Sequence, residues 1–407
     1  MNLEKNENFK ISNMNKENTK EERKKNKIKF NLIWPILMIS FFIVCFQFIH
    51  AEIYNKKEKQ EINLRNTESL EYSIDKSISY DKNGQTIYSK NNFINFNKLD
   101  KYYNGVNEQD TSKYNNIHIT LCVNEDYHLL ALVTIASILK NADQNSYIHF
   151  HIIALNNLKF EIMKKIYSLK SNINNNSEFI FYNGKKVEED FELGIKVSER
   201  GAIDYGRLLI TELVENIDKV ISIDIGDIFV EKDLFELYKK DLGYFGYLAV
   251  EDAYPKCFLE SIFNHKDRYV NGGVILLNVK KWKEINLYQY IVKMFKYVLT
   301  KTKFYNPYTD IMNDFLPWGS TGYMELKYNF PDYIIENGKN YDIWNKQCSY
   351  YFYKKEKVLD AERNVVIRNL YNYKVYKGQG TEEMKNLWKK YVQLTGFNDE
   401  ICKKYIC

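Results

Sequence analysis

The stretch AIDYGRLLITELVENIDKVISIDIGDIFVEKDLFEL (residues 202–237) decides the fold. Within it, IDYGRLLITELV (203–214) carries apolar residues at helical spacing, and KVISID (219–224) is a short β-branched run ending in an acid. The strand then delivers Asp224-Ile225-Gly226-Asp227 at its carboxyl tip. In open α/β sheets, ligands bind beyond that tip. Two carboxylates held there suit a hard divalent cation, and such a cation bridges a diphosphate. The competing reading is a surface turn, because Asp and Gly favour turns in any protein.

Upstream, IHITLCV (117–123), IHFHIIAL (148–155) and EFIFY (178–182) read as strands, with helical segments YHLLALVTIASILKNA (127–142) and LKFEIMKKIYSL (158–169) between them. This alternation predicts an α/β chain: a Rossmann-like, mainly parallel sheet with helices on both faces. The first strand runs into Asn124, Glu125, Asp126 and Tyr127, a second polar cluster at a carboxyl end. No internal repeat of fixed period occurs.

Downstream lies YVNGGVILLNVKKWKE (269–284). Together with 202–237 it closely resembles glycosyltransferase family 8, the glycogenin-like retaining transferases of GT-A fold. The motifs concerned are Tyr205 with Arg207, Asp224 with Asp227, Asn271-Gly272-Gly273 and Trp282, and VNEDY (123–127) is similar to the family's uracil-binding start. The resemblance covers about 117–392. It implies that Asn124 and Tyr127 lie at the donor base and that Arg207 contacts the donor phosphates. Asp224 and Asp227 would hold Mn²⁺, while Asn271 and Gly272 face the donor sugar. Arg suits phosphate, and Gly lets backbone approach a ligand closely. Arg207 also reads as a helix-surface ion pair, and Trp282 reads as core.

Three departures from the family pattern stand out. The position of a strict second acid is Gly226; counting downstream to Val230, Asp233 and Leu234 makes Asp227 the second acid, with Gly226 in a bulge that absorbs one inserted residue. The family's Asp-Gln-Asp segment reads Tyr308-Thr309-Asp310. Asn271, Thr309 and Asp310 are therefore the candidates nearest the reacting sugar carbon, with Thr309 too short to act as the Gln does. The C-terminal His-x-x-Gly-x-x-Lys-Pro-Trp motif aligns with RNLYNYKVY (368–376): Lys374 is kept, but Arg368 replaces the metal-binding His, and no His follows His265. Arg cannot ligate a cation. It is expected to reach the diphosphate instead, with Mn²⁺ weakly bound.

The rest of the chain supplies the setting. Residues 1–29 read as a disordered, Lys-, Asn- and Glu-rich cytoplasmic tail. FNLIWPILMISFFIVCFQFI (30–49) is long and apolar enough for one transmembrane helix, so 30–50 is expected to be a signal anchor. The 15 residues before it hold more Lys and Arg than the 15 after, which places the N-terminus in the cytosol. A cleaved signal peptide competes, but the charged lead is long and no A-x-A-like site follows. Residues 51–116 read as a flexible stem and 117–407 as the transferase domain. The sequon Asn175-Asn176-Ser177 is compatible with a lumenal face. Net charge is a mild +5, and no basic stripe with interleaved aromatics appears, so nucleic acid is not an expected partner. No CxxC pair is present; Cys45 and Cys122 read as core thiols, and one disulfide among the others is compatible with an oxidising compartment.

The expected function is a retaining transfer of a hexose or related sugar from a UDP-sugar to a glycan, glycoprotein or other hydroxyl acceptor. The chain would be a single-pass type II protein of the Golgi or endoplasmic reticulum. The alternative is a weakened or inactive family member acting as a nucleotide-sugar-binding or partner subunit.

Overall fold

A computed structural model describes residues 79–80, 86–87, 93–98, 110–156, 158–191, 202–252, 269–298, 311–313, 316, 320–331, 355–370 and 373–407. All of them fall within the unit Ser77–Cys407. Among the described residues no helix is long and apolar enough to cross a membrane. The run 30–49 lies outside them, as do Thr309 and Asp310.

The strands are β1 (Ser79–Tyr80), β2 (Thr86–Ile87), β3 (Phe93–Asn95), β4 (Asn115–Val123), β5 (Ser146–Ala154), β6 (Ser177–Asn183), β7 (Lys219–Ile223), β8 (Ile228–Val230), β9 (Tyr247–Glu251), β10 (Val270–Asn278), β11 (Thr321–Met324), β12 (Phe330–Pro331) and β13 (Ile367–Asn369). Eight form the main sheet in the order β11-β9-β10-β7-β4-β5-β6-β3. The pairs β4–β5, β5–β6, β4–β7 and β9–β11 are parallel, whereas β10 runs antiparallel to both its neighbours and β3 antiparallel to β6. The expected mainly parallel sheet is present. Its central strands are buried and read as near-continuous apolar runs, as strands covered on both faces should.

Helix α1 (His128–Asn141) crosses from β4 to β5, and α2 (Phe160–Ile173) from β5 to β6. Twelve consecutive residues of α1, His128 to Leu139, are buried, which is why its sequence lacks a polar face. The predicted helix 203–214 is broken into α3 (Ile203–Gly206), a 3₁₀ turn Arg207–Leu209 and α4 (Ile210–Leu213). A second sheet, β12-β13-β8, brings the segment after Asp227 beside the C-terminal motif. Two later helices matter below: α5 (Glu382–Leu394), capped by the Thr381 hydroxyl accepting from Met384 N, and α6 (Asn398–Lys404).

The expected stem needs correction. Phe93–Asn95 pairs with β6, and Phe96 packs its ring against Phe160, Tyr167 and Phe181. This strand pairing and ring packing place residues 93–96 in the folded unit, which therefore begins before residue 117.

Candidate functional site

The site lies at the carboxyl ends of β4 and β7. Gly226 sits at φ +91°, and a Cβ there would stand 2.8 Å from Leu130 Cδ1. Only Gly enters that conformation without strain. Its N–H donates to Thr134 Oγ1 at 3.0 Å, so α1 grips the turn directly. The chain resumes as β8 at Ile228. Asp227, not Gly226, then presents its carboxylate, 3 % exposed.

Each of the two acids faces a fixed cation. Asp227 Oδ2 is 2.9 Å from Lys374 Nζ, and Asp224 Oδ1 is 3.2 Å from an Arg207 terminal nitrogen. Arg207 is fully buried. Its two terminal nitrogens also donate to Gly272 O at 2.6 Å and Gly273 O at 3.0 Å, and Asp224 N donates to Gly273 O. Arg207 therefore clamps the Asn-Gly-Gly backbone onto the tip of β7, a role the sequence alone does not reveal. It is no surface ion pair.

Asn271 stands where the β9–β10 register shifts. Its Oδ1 accepts from Gly273 N (2.8 Å) and Asn329 Nδ2 (2.9 Å), and its Nδ2 donates to Asp252 Oδ2 (2.9 Å). Asn369 Nδ2 donates to Asn329 Oδ1 at 2.8 Å. A Cβ on Gly273 would meet Asn271 Oδ1 at 2.9 Å and Asn369 Nδ2 at 3.0 Å, so this packing needs glycine. Sequence reading missed Asp252, Asn329 and Asn369. Asp252 ends an apolar strand (β9) as Asp224 ends β7, and that shared pattern was the available signal.

On the other side, Asn124 Oδ1 accepts from Tyr127 N at 3.0 Å and closes the turn into α1, with Tyr127 partly buried against the core. Trp282 is fully buried and donates from Nε1 to Gly246 O at 2.8 Å, the core role expected of it.

Arg368 is not brought into this cluster. It sits opposite Phe229 in the β13–β8 register, and its Nε donates to Glu231 Oε1 at 2.5 Å. Successive strand residues point to opposite faces, so Asn369 turns toward Asn271 and Arg368 turns away. The Arg368 side chain is thus engaged by Glu231 in the chain without donor.

Whether a divalent cation fits can be judged from the donor set. Among the described residues no three His, Cys, Asp or Glu side chains converge as a metal site. Two carboxylates, each facing a cation, match an ion that takes its other ligands from a bound diphosphate and water, not one held by protein alone.

A mainly parallel α/β sheet, a strand-end acid pair and an Asn-Gly-Gly strand clamped by arginine define a glycosyltransferase of GT-A-like fold. The chain belongs to glycosyl transferase family 8, whose model matches residues 118–357. A Haemophilus influenzae protein provisionally named a glycosyltransferase is 28% identical over 130 residues, which span 31% of this chain and 38% of that protein. Among solved structures, the bifunctional glycosyltransferase WbbM in its apo form superposes with TM-score 0.57 at 21% identity, covering 74% of this chain and 53% of that one. The galactosyltransferase LgtC, solved with donor and acceptor sugar analogues, gives 0.50 at 18% identity, covering 69% of this chain and 95% of LgtC. At these identities the structures speak to the fold.

Proposed function

We propose that this chain transfers a sugar, with retention at the anomeric carbon, from a UDP-sugar to a hydroxyl acceptor on a glycan or glycoprotein. One observation carries the reading: Asp224 with Arg207, Asp227 with Lys374, and Asn271 with Asp252 gather at neighbouring strand ends. Such a constellation is suited to a diphosphate beside a polyhydroxylated ring. The turn of Asn124 and Tyr127 would receive the base. Asn271, held by four polar partners, and Gly272 would border the sugar, with Thr309 and Asp310 as further candidates near the reacting carbon.

The step to be assisted is departure of UDP. Lys374 and Arg207 supply fixed positive charge where the leaving diphosphate gains negative charge. Asp224 and Asp227 would hold Mn²⁺, which supplies Lewis-acid neutralisation of the diphosphate when bound. Before donor arrives, Lys374 neutralises the buried Asp227. Donor phosphate then competes for the ammonium and frees the carboxylate. Metal affinity should therefore be poor without UDP and rise with it.

The decisive experiment is release of UDP from a panel of UDP-sugars, with and without Mn²⁺. Turnover of one donor, stimulated by metal, is the expected result. A second reading, a donor-binding partner subunit without turnover, is favoured by Arg368, a residue that cannot ligate a cation, at the motif position where the family has its metal-binding His. UDP binding without turnover of any donor would select that reading, and absence of UDP binding would reject both. The proposed setting is the lumen of the Golgi or endoplasmic reticulum, behind a single membrane helix at 30–50. It is supported by the apolar run and its charge flanks.

A further inference from the structure

The segment Asn398–Cys407 touches both lips of the candidate site. Cys402 and Cys407 are joined by a disulfide, with Cα atoms 5.4 Å apart, which folds residues 403–407 back on α6 as a closed hook. Toward the base side, Lys404 Nζ donates to Asp126 O at 2.6 Å and Tyr405 OH to the same carbonyl at 3.4 Å. Glu400, ion-paired with Lys165 at 2.6 Å, also faces His128 at 3.8 Å. These contacts converge on the turn Asn124–His128.

Toward the phosphate side, Ile406 N donates to Tyr376 O at 2.9 Å, and Ile406 O accepts from Trp388 Nε1 at 3.0 Å. The Tyr405 ring meets Tyr376 edge-on at 5.4 Å. Tyr376 belongs to the 3₁₀ turn Val375–Lys377, which follows Lys374 directly. One covalently closed loop therefore contacts both the turn assigned to the base and the segment assigned to the diphosphate.

We propose that this hook is a positioning brace for the donor site, holding the Asn124–Tyr127 turn and the Lys374 segment in fixed relation so that base and diphosphate are engaged together. The inference rests on the donor-site reading above. Cross-linking restricts the open states of a short segment. Both cysteines are exposed, whereas Ile401, Tyr376 and Trp388 are buried, so opening the bond leaves the core in place.

The test uses the full chain, its Cys402→Ser/Cys407→Ser variant and a Lys404→Met variant. Hydrogen exchange is read in residues 124–127, 374–377 and, as a control, α1; UDP affinity is read by calorimetry with Mn²⁺. The double serine variant should exchange faster in both lips with α1 unchanged, and bind UDP about tenfold more weakly, the loss that one misplaced charge-assisted contact brings. Lys404→Met should loosen only residues 124–127. Unchanged exchange in either lip of the double variant overturns the brace. Faster exchange with unchanged UDP affinity overturns its role in donor binding. If the wild-type chain binds no UDP, the donor-site reading falls by itself and exchange alone decides whether the hook braces the two segments.

Discussion

Asp227 and Asp233 divide binding from structure. Asp233 accepts from Asp143 N through Oδ2 and from Phe235 N through Oδ1, both at 2.8 Å, so it organises a loop and a helix start. Asp227 faces Lys374 at the site. Asp227→Asn should weaken Mn²⁺-dependent UDP binding at least tenfold with little change in Tm. Asp233→Asn should cost about 1 kcal/mol of stability, because the amide keeps one acceptor oxygen and loses the other, and leave UDP affinity alone. Calorimetry and thermal melts on both variants check this, and equal small effects on UDP would mean that Asp227 is the wrong acid. Arg368 shows where sequence reading stops. Motif alignment fixed its position in the chain, but the side it faces depends on its register against Phe229, and register is set by a pairing partner far away in sequence.

At the scale of elements, the strands and the two crossover helices were legible from apolar runs of strand and helix length, with helical spacing in α2. The 3₁₀ break at Arg207–Leu209 was not, since a fully buried arginine gives no periodic signal. Nor was the asparagine cluster of Asn271, Asn329 and Asn369, in which three separate elements each supply one amide. The tight turn at Gly226 makes a prediction. Gly226→Ala must place a side chain at φ +91° against Leu130, costing about 1–2 kcal/mol for the backbone alone, before the clash is relieved. A lowered Tm with weakened UDP binding is expected, and wild-type behaviour in both would deny the turn its role.

The β4–β5–β6 face also carries a histidine chain. His118 Nδ1 lies 3.0 Å from His151 Nε2, and His151 Nδ1 lies 3.1 Å from the Tyr182 hydroxyl. Burial lowers the His118 pKa to about 3 and pushes His151 well below its ordinary value. Because both values are depressed, the unfolded chain binds more protons than the folded one below the ordinary histidine pKa of about 6.5. Stability is therefore complete above about pH 6.5 and falls as pH drops toward about 3, at up to about 1.4 kcal/mol per pH unit for each histidine. Denaturant melts across that range should show the slope, and His118→Asn should flatten it.

For the whole molecule, topology and folded limits can each be tested. If 30–50 spans the membrane with the N-terminus cytosolic, protease added to intact vesicles should digest the tail and spare the C-terminus; cleavage of both would reject a lumenal domain. The exposed Cys402–Cys407 bond fits an oxidising compartment, although the sequence alone could not choose that pair. The short strand β3 has a practical consequence. It occupies the outer edge of β6, whose backbone would otherwise offer unpaired N–H and C=O groups beside Phe179 and Phe181. An exposed, apolar edge recruits strands from other molecules. A fragment cut at residue 117 should therefore self-associate at micromolar concentration, whereas one starting before Phe93 should elute as a single species in size-exclusion chromatography. A negative assay on the shorter fragment would report sticky edges, not a dead enzyme.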